Sequence, residues 1–145
     1  MHKIKFILLL LLIAALIGGC DKETTKYVYD YKGESEYWEV HYHENSRLTF
    51  WTEDGTLKHD STSEVTFTAV YKGNVNELDK VQQLEIGYDT GLGGSSFCEN
   101  YSEDGPARRA FTITSSNGLV ANEVDVIQAT LRIDDYTETI ELTRK

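Results

Sequence analysis

From Trp38 to His43 the even positions (Trp38, Val40, Tyr42) are large and apolar, while the odd ones (Glu39, His41, His43) are polar. A period of two is the mark of a strand with one buried face, and a helix cannot sustain it. The same rule returns in Val65, Phe67, Ala69 and Tyr71, in Leu84, Ile86 and Tyr88, and on odd positions from Ile127 to Ile133. Leu48 with Phe50, Phe111 with Ile113, and Ile140 with Leu142 extend it. Asp54-Gly55 and Asn117-Gly118 supply the positive backbone angles of tight hairpins, and Lys72-Gly73-Asn74 marks a further turn. Nine tyrosines add strand preference. The expected fold is all-β, an antiparallel β-sandwich, immunoglobulin-like in outline, of seven to eight strands, with a small barrel as the alternative. Leu78, Val81 and Leu84 stand at helical spacing, from which at most one turn of helix is expected.

The first residues obey a different rule. His2, Lys3 and Lys5 precede an apolar run from Phe6 to Ile17, closed by Gly18, Gly19 and Cys20. The run falls short of the roughly twenty residues that cross a bilayer, and fits a secretory signal ending in small residues. Ile17-Gly18-Gly19-Cys20 resembles the bacterial lipobox, which implies cleavage before Cys20 and acylation of its thiol. Ordinary secretory cleavage and an uncleaved anchor are the alternatives. The expected organisation is a signal peptide over 1–19, a lipidated cysteine and spacer over 20–26, and a β domain over 27–145 on the outer face of the cell membrane.

Charge narrows the partners. The chain carries 14 Lys plus Arg against 24 Asp plus Glu, and its net charge of −10 becomes −12 once Lys3 and Lys5 leave with the signal. A phosphate backbone needs basic patches, and past the signal adjacent bases occur just at Arg108-Arg109 and Arg144-Lys145, so nucleic acid is not an expected partner. With Cys20 acylated, Cys98 has no partner for an intrachain disulfide, and it is expected to be buried as a small hydrophobe rather than kept as a reactive thiol.

Several residues are candidates for chemistry. His41 and His43 leave one face of their strand about 6.6 Å apart, a spacing that can share zinc or copper if Glu39 or His59 supplies a third ligand. Otherwise they are simply the polar outer face. Glu99, Glu103 and Asp104, and the pair Asp134-Asp135, are acidic clusters that do not follow the EF-hand pattern. Gly91 to Ser96 is neither a nucleophile elbow nor a phosphate loop, so no catalytic residue and no cofactor are expected. Trp51 alternates away from Leu48 and Phe50 and can serve as a stacking platform, unless a loop covers it or a bulge turns it inward. The stretch 90–108 reads as one long loop, functional or disordered, with Phe97 and Tyr101 as its anchors.

The segment Tyr31-Lys-Gly-Glu-Ser-Glu-Tyr-Trp-Glu-Val40 resembles the opening of small Gram-positive lipoproteins in which a GESE-x-W stretch enters a strand. Leu131-Arg132-Ile133 with Thr139 to Leu142 is similar to their closing hairpin, though Asp134-Asp135 stands where such chains often carry tryptophan. The resemblance covers the two ends, and implies a Gram-positive membrane and an extracellular β domain, with no activity to transfer. Gly33 to Glu36 reads as the bend before the Trp38 strand, with Glu34 and Glu36 solvated or paired to a base such as Arg47 or Arg109. The resulting expectation is a non-enzymatic, lipid-anchored module that binds an envelope polymer or a protein, with a metal-binding lipoprotein as the alternative.

Overall fold

The computed structural model describes residues 22–117 and 124–145. The signal peptide, Cys20 and Gly118 of the expected Asn117-Gly118 turn lie outside the described residues. Eight strands follow one another: β1 (Glu23–Glu34), β2 (Trp38–Glu53), β3 (Thr56–Tyr71), β4 (Gln83–Asp89), β5 (Gly94–Asn100), β6 (Ala110–Asn117), β7 (Val126–Ile133) and β8 (Tyr136–Arg144). One 3-10 turn, Val75–Leu78, is closed by an Asn74/Glu77 capping box and supplies the single helical turn expected there. No described helix is long and apolar enough to cross a membrane.

The fold is all-β and antiparallel, with the expected number of strands. All eight belong to one sheet in the order β5-β4-β7-β8-β1-β2-β3-β6. Two four-stranded halves face each other across the core and are joined at β1 and β8 by only two paired positions, Tyr31 with Arg144 and Lys32 with Thr143. Near the open side, the Tyr88 hydroxyl of β4 lies 2.8 Å from Ser115 Oγ of β6, so the sheet is nearly closed. The architecture thus stands between the sandwich and the small barrel: two layers, continuous at one edge.

Alternation decides what fills the space between them. Trp38, Val40 and Tyr42 of β2, Val65, Phe67 and Ala69 of β3, Leu84 and Ile86 of β4, and Ile127, Ala129 and Leu131 of β7 are all buried. Tyr88 spans the layers, 5.1 Å from the Tyr42 ring and 5.3 Å from Phe67. Closure at the β1–β8 joint depends on Gly33, where an added Cβ would stand 2.5 Å from the Glu141 carbonyl oxygen and 2.7 Å from Leu142.

Three neighbouring inward positions break the apolar rule, Glu44 and Ser46 of β2 and Ser63 of β3, and one of them is charged. Glu44 of β2 is 1% exposed. Tyr42 donates to its carboxylate at 2.7 Å and Ser63 at 2.8 Å, and the Ser46 hydroxyl donates as well. Burial first, and then the Glu44 carboxylate, push the Tyr42 phenol above its ordinary range, which keeps it a donor.

Beyond this cluster, β2 and β3 outrun the core. No residue from Arg47 to Thr62 is fully buried, and β1 runs beside them from Glu23. The result is a three-stranded arm ending at Asp54-Gly55, both at positive φ as the hairpin requires. Glu23–Lys26 pair with Arg47–Phe50, so the spacer expected over 20–26 gives way to strand at Glu23. Its residues look polar because the arm is solvated on both faces.

The expected loop over 90–108 is also corrected. Gly94–Asn100 forms β5, paired along its length with β4. Cys98, expected to be buried, is exposed opposite Glu85, on the outward side of this edge strand.

Candidate functional site

The histidines emerge as their spacing predicts, on the outer face of β2, but each already has partners. His41 Nε2 lies 2.8 Å from Glu39 Oε1. That contact and the histidine's charge hold the Glu39 carboxyl below its usual range. Asn45 Nδ2 donates to His43 Nε2 at 3.0 Å, which makes Nδ1 the protonated nitrogen and donor to Asp30 Oδ1 at 2.7 Å. Both ring nitrogens of His43 are thus engaged. His59 pairs with Phe50 on the opposite face of the arm, out of reach as a third ligand. Among the described residues no three His, Cys, Asp or Glu side chains are grouped to hold a metal.

One member of each acidic cluster is tied into the fold. Glu99 accepts from Tyr101 at 2.6 Å and from Arg108 at 2.5 Å, and burial followed by this carboxylate raises the Tyr101 phenol to about 12. Asp134 Oδ1 accepts the backbone N–H groups of Gln82 and Gln83 at 2.9 and 2.8 Å, fixing the β7–β8 turn to the start of β4. Of the aromatic candidates, Trp51 is half-buried with the Lys22 ammonium 5.6 Å from its ring centroid. Tyr101 packs against the core, and Phe97 is exposed on β5. These three are not brought together.

A different group is. At the end of the sheet opposite the arm, Tyr37, Trp38, Tyr71, Ile133 and Tyr136 line an open cleft of about 290 Å³. Its floor is the edge-to-face pair of Trp38 and Tyr71, with centroids 5.3 Å apart. Its rim is Tyr37 and Tyr136, exposed by 44% and 57%. Three connections furnish the walls: the β1–β2 bend, the end of β3, and the β7–β8 turn.

Each wall is held. Ser35 Oγ accepts from the backbone N–H groups of Tyr37 and Trp38, and the Lys72 N–H donates to the Tyr37 carbonyl at 2.8 Å. Lys72 Nζ donates to Glu34 at 2.7 Å, so the base that pairs with the Gly33–Glu36 bend is Lys72 rather than Arg47 or Arg109. The Tyr71 hydroxyl donates to Glu77 Oε2 at 2.7 Å; this contact, then burial, raises its pKa to about 12. The Asp134 clamp fixes the turn that carries Tyr136. An apolar cleft on held walls offers flat aromatic faces for stacking.

Sequence reasoning missed this cleft because its members come from three separate stretches, around 37–38, 71 and 133–136, that meet only in the fold. The readable trace is Tyr37, an aromatic out of phase with the buried Trp38 beside it. The chain matches no family model, no curated protein and no solved structure.

Proposed function

We propose that this protein is a non-enzymatic, lipid-anchored extracellular β module that binds an envelope component through the Tyr37/Tyr136 cleft. The ligand we assign is one sugar ring of an envelope glycan. The observation that carries this reading is the pair of exposed tyrosines above a buried, immobilised Trp38–Tyr71 floor. A cleft of about 290 Å³ lies at the small end of ligand pockets, which suits a single ring or polymer end. Aromatic faces take the apolar face of a pyranose, and fixed walls reduce the ordering cost of binding. The lipid anchor rests on the signal-like start and Cys20.

The test is thermal melting of the protein with wall fragments and simple glycans. A ligand of the folded state at a hundred times its Kd adds about 2.7 kcal/mol of apparent stability. Tyr37→Ala with Tyr136→Ala should abolish the shift while leaving the ligand-free midpoint close to wild type, since both rings are exposed. A glycan-induced shift that survives the double substitution would place binding elsewhere, and no shift with any glycan would refute the assignment.

A further inference from the structure

The first described residues and the β2–β3 arm lie side by side at one end of the sheet. Glu23 pairs with Phe50, and the Lys22 ammonium lies over Trp51. Cys20 precedes Lys22 by two residues, at most about 7 Å of extended chain. Any acyl chain on Cys20 therefore brings the bilayer surface to the tip of the β2–β3 hairpin.

The tip has the chemistry of such a surface. Leu57, 67% exposed, is the most exposed large apolar side chain among the described residues. Thr52 pairs with Leu57 and Trp51 with Lys58, so Trp51 and Leu57 lie on opposite faces of the hairpin, an arrangement suited to end-on contact. Indole rings and lysines favour the headgroup level of a bilayer. Charge agrees. Across 21–28 and 47–62 the four bases Lys22, Lys26, Arg47 and Lys58 meet the five acids Asp21, Glu23, Glu53, Asp54 and Asp60, a net charge of −1 in a chain whose net charge is −10. The excess negative charge lies away from this end, where it adds no repulsion against a lipid surface.

We infer that the tip of the β2–β3 hairpin is a membrane-docking element that sets Trp51 and Leu57 into the headgroup region beside the anchor. The inference rests on the lipid-anchor part of the proposed function and adds a second, non-covalent point of attachment. One point lets the domain tumble; two fix its orientation, with the aromatic cleft facing outward. From Trp51 to Trp38 the strand covers about 40 Å.

The experiment uses the full protein, purified with its acylation and reconstituted into phosphatidylcholine vesicles with or without brominated acyl chains. Trp38 is 1% exposed and supplies a constant background, measured with a Trp51→Phe variant. Trp51 emission is expected to fall about twofold in brominated vesicles, as for an indole at the interface. Leu57→Asp should reduce that quenching without altering the melting midpoint. Equal emission in both vesicle types, from protein that floats with the vesicles and carries acyl chains on Cys20 by mass spectrometry, would overturn the docking and leave the anchor standing. Protein with an unmodified Cys20 would overturn both.

Discussion

Substituting Gly33→Ala tests whether the narrow joint between β1 and β8 holds the two layers together. The new methyl carbon would meet the Glu141 carbonyl oxygen at 2.5 Å, Leu142 Cδ2 at 2.7 Å and Ile140 Cγ2 at 2.9 Å. Relief requires β8 to retreat by about 0.7 Å, because the nearest contact is backbone and cannot rotate away; such overpacking costs about 1–3 kcal/mol. The joint has two paired positions and the Lys145 N–H to Asp30 carbonyl bond of 3.2 Å, and loss of one hydrogen bond adds about 1 kcal/mol. Restricting the unfolded chain returns about 0.4–1 kcal/mol. The net expectation is a loss of about 2–3 kcal/mol, or about 8–12 °C in melting midpoint for a domain of this size. Urea and thermal unfolding would measure it, with amide exchange at Lys145 reporting the joint directly. Gly55→Ala is the control: its φ is +75° with nothing within 4 Å of a new Cβ, so only backbone strain of about 1 kcal/mol applies. A Gly33→Ala protein that melts within 2 °C of wild type, with Lys145 exchange unchanged, would refute the reasoning.

Two further outcomes are expected. Glu44→Ala removes the acceptor of the Tyr42, Ser46 and Ser63 hydroxyls, and urea unfolding should show a loss of about 2–4 kcal/mol, partly restored in Glu44→Gln, which keeps one acceptor oxygen. Tyr71 holds its proton up to about pH 12 when folded, against about 10 unfolded, so its contribution is intact below pH 10 and lost as pH rises toward 12. An alkaline unfolding curve should therefore lie at lower pH for Glu77→Ala, which removes the acceptor that is the main cause of the raised value, and coincident curves would contradict it.

The strands that face the core announce themselves because burial acts on every second residue, as in Trp38, Val40 and Tyr42. The hairpin turn at Asp54-Gly55 is equally legible, since its backbone angles restrict the residues allowed. Strand β5 is not: Gly94, Ser95 and Ser96 have little strand preference, and their extended form comes from pairing with Tyr88 and Gly87 of β4. Cys98 follows from that misreading, because the exposed side of an edge strand imposes no apolar rule. Glu44 shows the converse: a charged residue occupies an inward position because hydroxyls from two strands converge there, and register is invisible in a linear pattern. His41 and His43 were rightly placed on one face, but Asp30 and Asn45, which engage His43, depend on the β1–β2 register and on neighbours along the strand. The aromatic cleft needed three separate stretches to be assembled before it existed at all.

The twelve consecutive paired positions between β1 and β2 also have a mechanical meaning. A pull between the N-terminal end of β1 and a ligand held at the opposite end of the sheet acts along the strands. The β1–β2 ladder is then loaded in shear, so its hydrogen bonds must yield together rather than peel apart one at a time. Resistance to such a pull is set by the unfolding rate rather than by the equilibrium stability. The two-position joint at β8 adds little to it, so the same chain is soft where its layers meet and stiff along the line that would carry tension.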